Sequence, residues 1–195
     1  MSQDKIERAA ESDAPLHTAV HQRDISHDLA ETAEWNHAAL VGRTVTINRS
    51  RAEVYAFFRD FRNFPAFMEN VERVDVGDNR RSHWVVKAPA GQTVEWDSEI
   101  TEDQPGSLII WRSVEGADIR NTGRVEFRDA APGRGTEVEA IILYEPPAGD
   151  LGKLFAKVFQ KEPKIQVRRD LRRFKQLMET GEVSTARAPD AAPRG

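Results

Sequence analysis

Few side chains in this sequence combine a reactive type with a setting that could use it. His83, between Ser82 and Trp84, carries the ring that titrates nearest neutrality. It would serve as a general base only if it faced an enclosed space and found a partner, and strand alternation sets it opposite Trp84. Tyr144, Ser98 and Arg112 are the other groups available to hold or move a proton. Glu95, Asp97 and Glu99 repeat at i, i+2, the spacing of one strand face. A catalytic carboxylate needs a desolvated site, whereas this spacing reads as a solvated outer face paired across strands with Arg112, Arg124 or Arg128. His17 and His21 stand at i, i+4, a spacing that binds metal on a helix, but no third ligand accompanies them and no metal is expected. His27 and His37 add nothing specific. The chain has no cysteine, which excludes thiolate chemistry, and no nucleophile elbow, phosphate loop, dinucleotide fingerprint or zinc spacing. Gly133–Gly135 is a turn before a strand. No cofactor is expected.

The elements that would position these groups are regular between residues 42 and 181. Arg43–Asn48 alternates with period two and predicts a strand, with Val45 and Ile47 on one face. Ser50 followed by Glu53 is a capping-box signature, and Val54, Phe57, Phe58 and Phe61 then recur at helical spacing. Pro65 breaks that helix and predicts a second short one at Pro65–Asn70. Strands follow at Val71–Val76, Ser82–Lys87, Thr93–Thr101, Leu108–Val114, Gly123–Arg128 and Thr136–Tyr144, separated by Pro- and Gly-containing turns. Short connections make them an antiparallel meander. Pro146, Pro147 and Gly149 end the sheet, and a long helical segment runs from Asp150 with a break predicted near Lys161–Lys164, where Pro163 suits a first turn better than a helix interior. That kink, flanked by lysines, is a hinge candidate. Gly181 fits the position just past the helix end. The order predicts an α+β fold: one helix laid over a curved antiparallel sheet, with two short helices closing one end.

Residues 1–41 have few bulky apolar side chains and read as a flexible N-terminal tail in which Asp24–Leu40 has helical spacing; 182–195 read as a disordered C-terminal tail. The first residues hold no apolar core of a secretory signal, and no run approaches a membrane span, so the expectation is a soluble, cytoplasmic protein. The net charge of −4 is uneven. Leu151–Met178 carries nine Lys and Arg against Glu162 and Asp170, a local +7 that leaves −11 for the rest. The first reading is a solvated helix face balanced by an acidic body. Transient contact with an anionic membrane through this basic C-terminal helix comes next, and no nucleic acid is expected because the aromatics of the helix belong to its buried face.

The blocks VTINRSRAEVYAFFRDFRNFPAFMENVERV, RSHWVVKAPAG, VEWDSEITEDQPGSLIIWRS, GRGTEVEAIILYEPPAG and DLRRFKQLMETGE occur in this order. Together they resemble the START-like superfamily, also called helix-grip or SRPBCC, in its polyketide cyclase/dehydrase and coenzyme-Q-binding type branch, over about 140 of 195 residues. The resemblance implies a helix-grip fold holding an apolar small molecule between sheet and C-terminal helix. Some relatives carry an N-terminal membrane span that this sequence does not show. Alternation offers Trp84 and Val86 for the cavity, with Val94, Trp96, Ser98 and Ile100 on the next strand and Val138, Ala140, Ile142 and Tyr144 on the last. Leu108 and Ile110 cannot be separated from Ile109 and Trp111 in this way. The helices offer Phe57, Phe61 and Phe67, then Phe155, Phe159 and Phe174. The implied function is a carrier or binding protein for a lipid, quinone or polyketide-like molecule, without covalent chemistry. A cyclase or dehydratase that moves protons with His83 or Tyr144 is the alternative, and a stress or assembly scaffold the third reading. A hydrogen-bonded polar pair inside the cavity favours the enzyme, an apolar lining favours binding, and a solid core favours the scaffold.

Overall fold

The computed structural model describes residues 39–88, 91–117, 119–145, 149 and 163–184. Seven strands form one antiparallel sheet: β1 (Ala39–Ile47), β2 (Val71–Val76), β3 (Arg81–Lys87), β4 (Thr93–Gln104), β5 (Leu108–Ser113), β6 (Arg120–Asp129) and β7 (Thr136–Glu145). Their order across the sheet is β1-β7-β6-β5-β4-β3-β2, so β2 to β7 are a meander and β1 closes the far edge against β7. The first strand starts four residues before the expected Arg43, because it pairs with β7 along its whole length, from Ala39 opposite Tyr144 to Ile47 opposite Thr136. The sheet curls around α2 (Pro163–Thr180), and the fold is an α+β helix grip.

Between β1 and β2, α1 (Arg51–Arg59) starts as its cap predicts: the Glu53 amide donates to Ser50 Oγ at 3.3 Å and the Ser50 amide to Glu53 Oε2 at 3.1 Å. The second short helix is displaced from Pro65–Asn70. It is a 3-10 helix at Phe61–Ala66, with Pro65 inside it. The Asp60 carboxylate accepts from the Arg62 amide and the Asp60 carbonyl from the Asn63 amide, so a new turn begins as soon as α1 ends. Proline sits late in that turn, where its missing N–H removes one bond from a short set. Asp103 of β4 ties α1 to the sheet: Arg59 Nε donates to it at 2.6 Å and the Tyr55 hydroxyl also donates. Burial, then that hydrogen bond, pushes Tyr55 up to about 12, which keeps it a neutral donor.

The core lies between the concave sheet face, α1, the 3-10 helix and α2. Phe58 meets Phe64, Phe67, Phe127 and Phe174 with ring centroids 4.8–6.4 Å apart, in mostly tilted or edge-on geometries. Phe174 of α2 is fully buried. The C-terminal end of α2 is fastened to the edge of the sheet by three polar links. Lys175 Nζ donates to the Thr46 carbonyl at 2.7 Å, the Asn48 amide to Glu179 Oε1 at 2.7 Å, and Arg49 to the Glu179 carbonyl at 2.9 Å. Gly181 stands just past the helix with φ 78°, its amide bonded to the Leu177 carbonyl at 2.8 Å. Pro163 is the first residue of α2; most of the expected break and hinge at Lys161–Lys164, with Phe155 and Phe159 and both tails, lies outside the described residues.

Register settles the β5 ambiguity. Ile109 faces Val125 and Trp111 faces Gly123, all on the concave side, while Leu108 and Ile110 stand opposite Glu126 and Arg124 on the convex side. Trp111 depends on its neighbour. A Cβ at position 123 would lie 2.0 Å from the indole, so the ring crosses β6 only because that residue is glycine.

Candidate functional site

A cavity of about 150 Å³ remains between the sheet, the 3-10 helix and the N-terminal part of α2. Trp84, Trp96 and Trp111 form its broadest walls, and Trp84 and Trp96, directly opposed on β3 and β4, stack with an interplanar angle of 4° and centroids 6.1 Å apart. Trp84 is held from behind, its Nε1 donating to Ser82 Oγ at 3.0 Å. Phe58, Phe64 and Phe67 close one end, and Val167 and Leu171 of α2 cover the top. The wall is otherwise aliphatic, save for Asn70, Asn121, Tyr144, Gln166 and Asp170.

Two of these polar groups belong to a row that crosses the concave face. Ser82 stands opposite Ser98, and Ser98 opposite Ser113. The Asn121 amide donates to Ser113 Oγ at 3.0 Å, and Asn121 stands opposite Tyr144. The serines lie outside the cavity wall, and Ser98 Oγ is buried with no partner among the described residues. Asn121 and Tyr144 reach the cavity. Burial pushes the Tyr144 hydroxyl up, so it stays protonated at neutral pH.

The other polar pair hangs from α2. Asp170 is 5% exposed, and its two carboxylate oxygens accept from Gln166 Nε2 at 3.0 and 3.2 Å, one turn earlier on the helix. It also accepts from the Glu69 amide. Burial outweighs these bonds and the nearby Arg173 charge and pushes the carboxyl up to about 7. Arg173 and Arg169 spend themselves on Glu69, at 3.4 and 3.8 Å. Among the described residues, Asp170 is the one charged side chain on the cavity wall.

Of the residues offered by alternation, Trp84, Val86, Trp96, Ala140, Ile142 and Tyr144 line the cavity, joined by Phe67. Phe57, Phe61, Ile100, Val138 and Phe174 do not: they fill the core beside it, Phe61 against Trp84 and Phe57 against Phe174. Val94 packs in a smaller cluster with Ile119 and Tyr144. His83 points the other way. Its ring lies on the convex face, Nδ1 2.8 Å from Asp97 and Nε2 3.3 Å from Glu95, with the Asp97 bond foremost in raising its pKa. That orientation removes it from any chemistry in the cavity, because an odd position on β3 cannot share the face of Trp84. Arg112 is convex as well, paired with Glu99 at 2.8 Å, while Glu95 and Asp97 find His83 in place of an arginine.

Asp170 and Asn121 were missed by the sequence reading, and each left a signal. Asp170 falls three residues after Val167 and four before Phe174, on the stripe that helical periodicity reserves for apolar residues. Asn121 stands two residues before Gly123 on the concave alternation of β6, a strand expected to begin only at Gly123.

A sheet curled around one helix over an aromatic-walled pocket defines a helix-grip protein. The model of the polyketide cyclase/dehydrase and lipid transport family matches residues 47–172, and the chain belongs to that family. An uncharacterized 17.2 kDa protein of Streptomyces lincolnensis is 32% identical over 127 residues, covering 64% of this chain and 79% of that protein. A crystal structure from Deinococcus radiodurans is 41% identical with a TM-score of 0.59, covering 73% of this chain and 99% of that one. An aromatase/cyclase from Streptomyces shares the fold at 15% identity and a TM-score of 0.56, covering 76% and 100%. Among the described residues no helix is long and apolar enough to cross a membrane.

Proposed function

We propose that this domain binds an apolar small molecule in the cavity under α2 and acts as its carrier. The observation that carries the reading is the wall itself: three tryptophans, phenylalanines and aliphatic side chains around a partly open space, with few polar groups. A solid core would have supported the scaffold reading instead. The size narrows the ligand. A cavity of about 150 Å³ lined by apolar side chains admits a single aromatic ring, whereas drug-sized ligands occupy about 300 Å³ or more. A lipid, quinone or polyketide-like ligand therefore places one ring or a short apolar stretch between the tryptophans, or enters by shifting α2.

The cyclase or dehydratase reading is favoured by one specific feature, the hydrogen-bonded Gln166–Asp170 pair inside the cavity. A carboxyl that titrates near 7 is matched to moving protons at neutral pH. Native mass spectrometry of the protein purified from its own host, followed by organic extraction, tests both. A co-purifying molecule that returns unchanged after incubation with fresh protein supports the carrier. Its conversion to a cyclised or dehydrated product supports the enzyme. An empty protein that gains no thermal stability from quinones, fatty acids or aromatic polyketide fragments would count against any ligand role.

A further inference from the structure

Among the described residues, the one charged side chain on a mostly apolar wall implies something about what the wall receives. Resting on the binding reading above, we infer that the ligand carries a hydrogen-bond donor, a hydroxyl or an ammonium, which Asp170 accepts from inside the cavity. A carboxylate offers about four lone-pair positions. Gln166 Nε2, sitting 3.0 and 3.2 Å from the two oxygens, supplies one donor nitrogen, and the Glu69 amide supplies a second. Two donors leave acceptor capacity on the carboxylate of a residue that lines the cavity. Among the described residues no cation lies within ion-pair distance of Asp170, since Arg173 and Arg169 both turn to Glu69. A buried carboxylate held only by neutral donors gains from a further one, and a group that brings it is bound preferentially.

The remaining groups that face this carboxyl agree in sign. Glu69, in the turn after the 3-10 helix, repels its charge, and Arg173 on its own helix attracts it. Tyr144 and Asn121, from the sheet side of the same cavity, are neutral. An anionic ligand would therefore meet a like charge with no basic side chain on the wall to offset it.

The full chain is titrated with four probes of one shape: toluene, p-cresol, p-methylbenzylamine and p-toluate. Binding is read by calorimetry and by quenching of Trp84, Trp96 and Trp111 fluorescence, at about pH 6 and about pH 8. Toluene, which has no donor, is the reference for the other probes in each protein and at each pH. Cresol or the amine should bind the natural chain about tenfold tighter than toluene at the higher pH, and lose that advantage in Asp170→Asn. Cresol alone would assign a hydroxyl, and the amine an ammonium. The amine stays charged throughout, so its affinity for the natural chain should rise about tenfold between the two pH values as the carboxyl ionises; this arm needs no variant. Toluene binding without any donor preference would overturn the inference and leave the cavity reading intact. A preference for p-toluate at the higher pH would do the same. If no probe binds, the cavity reading fails and the inference falls with it.

Discussion

Asp170 sets a pH dependence opposite in sign to that of Glu53, Asp60 and Asp78. Its folded value of about 7 lies above the ordinary 3.8, so the folded state holds the proton more tightly than the unfolded one. The stability it contributes is complete below about pH 4 and drains away as pH rises to about 7, by an amount on the order of 4 kcal/mol. Glu53, Asp60 and Asp78 are shifted down by their hydrogen bonds, and their contributions are lost in the opposite direction, as pH falls. Those terms are common to the natural chain and to Asp170→Asn and cancel in the difference. Urea unfolding at stepped pH should therefore show the variant gaining on the natural chain between about pH 4 and about pH 7. A difference that stays flat would mean that this carboxyl is wetter than its 5% exposure implies.

At the scale of elements, α2 acts as a clamp with unequal ends. Its C-terminal half is bolted down by Phe174, packed on Phe67 with centroids 4.9 Å apart, and by the links from Lys175 and Glu179 to β1 and the residues after it. Its N-terminal half covers the cavity with Val167, Asp170 and Leu171. Phe174→Ala should cost about 3–5 kcal/mol in urea unfolding, the usual range for emptying a buried aromatic site. It should also weaken apolar ligands, because the helix above them loses its anchor. Unchanged stability would show that the polar links alone hold the helix. Much of this arrangement was legible beforehand. The inward face of β4 follows from alternation, because Val94 and Trp96 are flanked by charged or polar residues. Leu108–Trp111 was illegible for the converse reason: four consecutive apolar residues carry no period, and only pairing with Gly123 decides their face. Core and cavity could not be told apart either, since Phe61 and Phe67 have the same type and spacing and differ only in which neighbours fill the space before them.

For the molecule as a whole, part of the positive charge of the basic helix is met within the chain, among the described residues. Arg169 and Arg173 meet Glu69 across the chain, and Lys175 meets Glu179 one turn along. Exposed pairs of this kind are worth little individually, but each lowers the charge available to a surface. With a net charge of −4 overall, the chain should remain in the supernatant when spun with anionic vesicles at about 0.15 M salt. Sedimentation with the vesicles would instead give the helix a role at the membrane. Trp111 and Gly123 form one unit of inheritance in two strands. The ring occupies the space that any side chain at 123 would take, so a lineage that exchanges the glycine must first give up the tryptophan. Across descendants of this fold the two positions are bound to vary together, and with them the width of the pocket floor.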